Sequence, residues 1–229
     1  MLLPPADSIT HEREEWRARV ADHDAVRVAG ENLVRCEQTA IDELFQLRNQ
    51  CVPEIVIDPA LPDLDIPQHA NLMRYWRHLP RDAGADLPAR KTVRPEDLRG
   101  TLGDLILLEV DPTGADFVYR VYGSNIAINA GQDWTGWTVG AMGLKTGNGI
   151  GLFYRAVYVA SALSRKPIYT AHEAAPYQAP GLWRRLIVPL AGAAGEVGWF
   201  LVANLPEKFR RPDRAREIEM RRRLGPEKN

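Results

Sequence analysis

The chain has 229 residues, 45% of them hydrophobic and 26% charged, which fits one domain with an extension or two small domains. Its formal net charge of -1 gives no reason to expect the whole protein to be attracted to nucleic acid or to an anionic membrane. No apolar run reaches the roughly 18 residues of a membrane helix, and the start MLLPPADS lacks the features of a secretory signal.

The first part of the chain is dense in Glu and Arg and predicts helix from Ser8 to about Gln50, with Gly30 as a point where the helix could divide. Five residues keep the three-four spacing of a helical seam: Leu33, Ala40, Leu44, Leu47 and Cys51. Two interpretations stay open. The helix either docks on its own domain, or it dimerises and transmits a signal.

The two cysteines, Cys36 and Cys51, both lie in this N-terminal region. On one straight helix they would stand about 22 Å apart, too far for a disulfide. Because no disulfide is expected, a reducing compartment is favoured, and we expect a cytoplasmic protein.

A proline-rich, acidic linker follows the helix, and it contains at most a short strand, Ile55–Ile57. We therefore predict an N-terminal helical extension and linker over residues 1–65. A short helix over Gln68–His78 opens the next domain, residues 66–206. Residues 207–229 form a locally basic tail with one short helix, in which eight basic residues lie between Lys208 and Arg223.

Within residues 66–206 the period changes from helical to extended at Leu105. Five strands are predicted: Leu105–Val110, Phe117–Tyr122, Ile168–Ala174, Leu182–Leu190 and Val197–Asn204. Between the second and third strands lie a short helix around Ile126–Ile128 and a longer one over Leu152–Leu163. Strands that flank helices, rather than alternate with them, indicate an α+β fold with an antiparallel sheet.

The middle of this domain reads FVYRVYGS, beginning at Phe117, and then GQDWTG, beginning at Gly131. Together with the upstream Tyr75-Trp76 and the late Val188-Pro189-Leu190, this segment and the order of elements resemble a PAS domain of a bacterial single-domain subfamily. The resemblance implies a five-stranded antiparallel sheet with flanking helices that enclose a small cavity. It also implies a sensory or protein-interaction role.

Each cofactor known to bind PAS domains needs particular residues, and the sequence shows whether they are present. A covalent flavin adduct is excluded because no cysteine follows Cys51, whereas non-covalent flavin stays open and the cofactor is otherwise unknown. Haem is disfavoured because the helix through Tyr154 and Tyr158 carries no histidine, and His172 fits a hydrogen-bonded histidine better than a ligand. The remaining histidines lack metal-site spacing, so we predict no metal.

Two glycine patterns invite a nucleotide-binding interpretation and fail it. Gly147-x-Gly149-x-Gly151 lacks the final glycine of a dinucleotide fingerprint, and Gly143-Leu-Lys145-Thr146 departs from the phosphate-binding loop. Both are interpreted as a flexible loop that leads into the longer helix.

The predicted ligand-binding residues are aromatic side chains on elements that face one another, together with one histidine. They are Tyr119, Tyr154, Tyr158, His172, Trp183 and Trp199. The alternative is that they are simply core. Either Arg184 or Arg185 also points inward by strand alternation, which would suit a ligand that bears a carboxylate.

The chain shows no nucleophile elbow and no Cys near a His in the domain, so no catalytic residue and no enzyme activity are predicted. The functional hypothesis is a sensory or protein-interaction module that binds a small organic ligand or a partner, forms a homodimer and signals through a separate protein. A membrane or nucleic-acid partner is not expected. Two alternatives are a small α+β enzyme with a cavity and a ligand-free dimerisation scaffold.

Overall fold

A computed structural model describes residues 22–35, 54–147 and 149–224. The helices are α1 His23–Val34, α2 Pro67–His78, α3 Ser124–Ala130, α4 Val139–Thr146, α5 Ile150–Ser164 and α6 Arg214–Leu224. The strands are β1 Glu54–Ile57, β2 Leu105–Val110, β3 Phe117–Tyr122, β4 Ile168–Glu173, β5 Leu182–Ala191 and β6 Val197–Glu207.

All described strands form one antiparallel sheet in the order β1-β4-β5-β6-β2-β3, which confirms the α+β class. The predicted number of five strands is wrong by one, because the short strand of the linker pairs with β4 from Glu54 opposite Ala171 to Ile57 opposite Ile168. A strand of four residues, in a sequence segment bounded by Pro53 and Pro59, is enough to cover the edge of β4.

The two faces of the sheet are covered by different helices. One row of facing residues, Thr170–Arg185–Asn204, lies on the inner face, and the next row, Tyr169–Leu186–Ala203, lies on the outer face. Helix α2 packs on the outer face against β5 and β6. Helices α3, α4 and α5 lie over the inner face, where the candidate site is found.

Helix α1 packs along α5, on the side of α5 that faces away from the sheet. Val26, Gly30 and Leu33 form its buried face. The prediction that Gly30 divides the helix is wrong, because Gly30 lies within α1 and its missing side chain lets α5 approach. The other seam residues lie outside the described part of the chain.

The loop predicted around Gly143 and Lys145 is instead helix α4. The Oγ1 of Thr138 accepts a hydrogen bond from the Ala141 N–H at 3.1 Å and caps its start, and Gly147 ends it with φ of 68°. A β-carbon on Gly143 would lie 2.8 Å from the Cα of Gly151 on α5. Gly143 and Gly151 therefore let two helices pack closely, and the loop interpretation is wrong for residues 143–146. Gly147 and Gly149 do lie between α4 and α5, as the sequence predicted.

Candidate ligand-binding cavity

A small cavity lies between the inner face of the sheet, helices α3 to α5 and the loop that joins β4 to β5. It encloses about 50 Å³. Sites for drug-sized ligands span about 300–1,000 Å³, so the cavity fits a much smaller molecule. Its lining combines aromatic, apolar and buried polar side chains, which is the usual composition of a small-molecule site.

The structure brings five of the six predicted residues together. Tyr119, Tyr154, His172 and Trp183 line the cavity, and Tyr158 lies directly behind them against Arg185. The sixth, Trp199, does not reach the cavity.

The placement of Trp199 follows from strand parity. On β6 the neighbouring Phe200 points inward and contacts the rings of Phe117 and Tyr158. Trp199 therefore points to the outer face, where the guanidinium carbon of Arg90 lies 5.6 Å from its ring centroid. The assignment of Trp199 to the pocket is wrong for this reason.

Arg185 is the fully buried cation of the cavity, whose lining also includes Glu173. Its Nη2 donates a hydrogen bond to the hydroxyl of Tyr158, and its guanidinium carbon lies 3.9 Å from the ring centroid of Tyr154. Its Nε and Nη1 have no hydrogen-bond partner among the described residues, and none of the carboxylates described there forms an ion pair with it. Arg184, one residue earlier, points to the outer face and pairs with Asp65.

Two more buried polar side chains flank Arg185 in the same row of the sheet. Thr170 on β4 and Asn204 on β6 stand opposite Arg185 in the strand register. Thr170 Oγ1 and Asn204 Oδ1 lack a partner within the described part of the chain. Asn204 lines the cavity, and Thr170 lies beside Arg185 in the same row. Most buried polar groups in proteins are hydrogen-bonded, so this cluster of atoms requires an explanation, and a bound molecule provides one.

Sequence reasoning missed Thr170 and Asn204. The signal that would have found Thr170 was its two-residue offset from His172, which places both side chains on one face of β4. The pairing of Asn204 with Arg185 depends on the register between β5 and β6, which the sequence does not specify.

Tyr154 is held over Arg185 by a hydrogen bond between its hydroxyl and His172 Nε2, with the two atoms 2.9 Å apart. The ring of Phe153 also contacts His172, with centroids 5.5 Å apart. His172 on β4 therefore holds the side chain of Tyr154 in position.

The phenols around Arg185 remain protonated at neutral pH. Burial raises the pKa of Tyr158 to about 12, and burial raises the pKa of Tyr119 and Tyr122 well above the usual value of 10. Neutral phenols do not balance the charge of Arg185, but their hydroxyl groups are available as hydrogen-bond donors.

The mouth of the cavity is closed by Gln178. Its Oε1 accepts hydrogen bonds from Trp183 Nε1 at 3.0 Å and from the Ala175 N–H at 3.2 Å, and its Nε2 donates to the Ala130 carbonyl at 3.4 Å. Beyond Gln178 lies a groove of about 640 Å³ between α3 and α6, and Leu224 of α6 lines both the groove and the cavity.

In the described ranges, residues 22–35, 54–147 and 149–224, no group of three or more His, Cys, Asp or Glu is placed to hold a metal ion. None of the helices described there is long and apolar enough to cross a membrane.

A family model described as "PAS domain" matches residues 64–201. No curated protein matches the chain. A solved structure of an RNA-binding light-oxygen-voltage receptor matches 96% of this chain at 12% identity and a TM-score of 0.39. The chain spans 63% of the length of that receptor. The family match covers more than half of the 229 residues, from the start of α2 to the middle of the last strand, and the chain therefore belongs to the PAS domain family.

Proposed function

We propose that this PAS domain is a sensory module that binds a small ligand in the cavity between β4, β5, β6 and α5. The observation that carries the proposal is Arg185, a buried cation at the cavity wall with two nitrogens that lack a partner among the described residues. Burying a charge without a counter-charge costs several kcal/mol, so a site that keeps one gains stability when a complementary ligand binds.

The cavity also favours a ligand-binding module over a ligand-free scaffold. A volume of about 50 Å³ remains between the side chains. Each water-sized group needs about 10–15 Å³, so there is room for about four of them.

Helix α5 supplies a route from the cavity to the N-terminal helix. Tyr154 and Tyr158, one helical turn apart, face the sheet, where they contact His172 and Arg185. Ala156 and Val159 face Gly30 of α1. A ligand that moves the two tyrosines would therefore shift the surface on which α1 rests, provided that it prefers one of the two packings.

Signalling would then pass from α1 to a separate protein, and the homodimer expected from the sequence belongs to the same proposal. The ligand would act by changing how firmly α1 is held on α5.

Native mass spectrometry of the gently purified protein, compared with its denatured mass, tests the proposal. We expect a reproducible additional mass, and the same spectra count the subunits. Ala130→Leu places a larger side chain in the wall of the cavity and should abolish the additional mass. Ala127→Leu, on the same helix α3 but outside the cavity lining, is the matched control and should retain it.

The proposal is contradicted by one combination of results. The protein would carry no additional mass, and its unfolding temperature would stay unchanged across a library of charged and neutral metabolites.

A further inference from the structure

The charge of the cavity indicates the class of ligand. Arginine stays protonated throughout the accessible pH range, so Arg185 is a permanent cation in a fully buried position. The aromatic faces of Tyr154 and Tyr158, with centroids 3.9 and 5.2 Å from its guanidinium carbon, compensate for part of the lost hydration. They carry no negative charge, and among the described residues no carboxylate forms an ion pair with Arg185, so an anion would neutralise its charge.

The size of the cavity limits that anion. With about 50 Å³ enclosed, a molecule of about four non-hydrogen atoms fits without displacing a side chain. Acetate has this size, and propionate and glycolate are slightly larger.

The lining has a polar part and an apolar part, and this favours an organic acid over an inorganic oxyanion as the ligand. Arg185 and Asn204 line the cavity from the inner face of the sheet, with Thr170 beside Arg185 in the same row. Ile106 of β2, Met142 of α4 and Ile150 of α5 supply an apolar wall. An inorganic oxyanion presents oxygens in every direction and would leave some of them against this apolar wall, at a desolvation cost. A short carboxylic acid presents its charged oxygens on one side and its carbon atoms on the other.

We infer that the cavity binds a short-chain monocarboxylate, with its carboxylate at Arg185 and its alkyl end against Ile106, Met142 and Ile150. The inference deepens the proposed function and rests on it. The Nε and Nη1 hydrogens of Arg185, which have no partner in the described part of the chain, donate to the carboxylate. The alkyl end fills the apolar side of the cavity.

The test compares acetate with acetamide, which has nearly the same shape and no charge. Both are titrated into the full chain at constant ionic strength, and binding is followed by the unfolding temperature and by the NMR signal of the Trp183 indole N–H at the cavity wall. We expect saturable shifts with acetate and propionate and none with acetamide.

Two arginine variants locate the effect. Arg185→Gln is expected to weaken acetate binding by at least about tenfold, because it removes the charged donors. Arg184→Gln is the matched control, since this arginine is the next residue on β5, points to the outer face and pairs with Asp65. It should bind acetate like the unaltered chain. If Arg185→Gln does not fold, the comparison of acetate with acetamide in the unaltered chain still decides the question.

Each other outcome overturns the inference in a distinct way. Equal binding of acetamide would remove the role of charge, and equal binding of nitrate would assign the site to inorganic oxyanions. No saturable binding of any carboxylate, together with an additional native mass that Ala130→Leu abolishes, would reject the carboxylate and leave the proposed ligand-binding function standing. No carboxylate binding and no additional mass would reject both.

Discussion

Gly30 on α1 lies against Val159 on α5, so closely that a β-carbon built on Gly30 would come within 2.7 Å of the Cβ of Val159 and 3.1 Å of the Ala156 carbonyl oxygen. In an exposed helix, Gly→Ala stabilises by about 1 kcal/mol. At this contact the added methyl group has no room. We therefore expect Gly30→Ala to destabilise the protein by about 1–3 kcal/mol, as measured by urea denaturation.

The control for this variant is Val28→Ala on the same helix, where the side chain is 54% exposed and its removal should change stability by less than about 1 kcal/mol. Equal stability of Gly30→Ala and the unaltered chain would contradict the close packing of α1 on α5.

Asp116 holds the β2–β3 hairpin to α4 and α5. Its Oδ1 accepts hydrogen bonds from the N–H groups of Phe117 and Gly140, each at 2.9 Å, and lies 3.6 Å from the Nε of Arg155, which is fully buried. Removing one partner of a buried ion pair costs about 3–5 kcal/mol. We expect Asp116→Ala to lower the free energy of unfolding by about 3 kcal/mol.

Two further variants separate the contributions at Asp116. Asp116→Asn keeps an acceptor and removes the charge, so it should cost less than Asp116→Ala. Glu109→Gln breaks the more exposed Glu109–Arg120 pair and should cost at most about 1 kcal/mol. If Asp116→Ala lowers the free energy of unfolding no more than Glu109→Gln does, the buried pair of Asp116 and Arg155 does not stabilise the protein.

The strands were predictable because they are short apolar runs rich in β-branched and aromatic residues and bounded by turn residues. The predicted limits of β2 and β3 are those observed, and β5 and β6 end only one to three residues later than predicted. Helix α4 was missed because its glycines reduce helix propensity. The close packing of α5 that requires these glycines is visible only in the tertiary structure. Local sequence does not contain that contact.

The candidate site was predictable only where one strand or helix determines it. The spacing of Tyr154 and Tyr158 on α5 places both on one face without knowledge of the rest of the fold. Whether Arg184 or Arg185 faces inward, and which way Trp199 points, depends on which face of the sheet the helices cover. The alternation of side chains is compatible with either orientation of the strand, and only the tertiary structure shows which side chains face the cavity.

His69 on α2 makes stability depend on pH. It is fully buried, its ring centroid lies 5.9 Å from that of Tyr169, and burial, assisted by the positive charge of Arg184, lowers its pKa to about 4 from the ordinary 6.5. Between these values the unfolded chain binds a proton that the folded protein does not. Stability is therefore complete above pH 6.5 and falls as the pH drops towards 4.

The loss attributable to His69 is about 3 kcal/mol, since each pKa unit corresponds to about 1.4 kcal/mol. We expect His69→Leu to flatten the dependence of the free energy of unfolding on pH between 4.5 and 7. His78→Gln, at an exposed position of the same helix, should keep the slope. The carboxyl of Asp86, whose pKa the Arg165 guanidinium lowers to about 2, titrates below this window and does not obscure the result. An unchanged slope in His69→Leu would assign the pH dependence to other groups.

We expect Gln178 to control access to the cavity, because it lines both the cavity and the neighbouring groove and joins Trp183 to Ala130. Gln178→Ala removes the acceptor of the Trp183 indole N–H and widens the connection to the groove under α6. A hydrogen bond of this kind contributes about 1 kcal/mol, so we expect solvent exchange of that indole hydrogen to accelerate by about fivefold in NMR measurements. Gln132→Ala is the control, because Gln132 lines the same groove and its side chain donates to the Asp133 carbonyl beside it. Equal exchange rates in both variants would show that the cavity opens elsewhere. Faster exchange in Gln178→Ala alone would identify this side chain as the barrier that a ligand must displace.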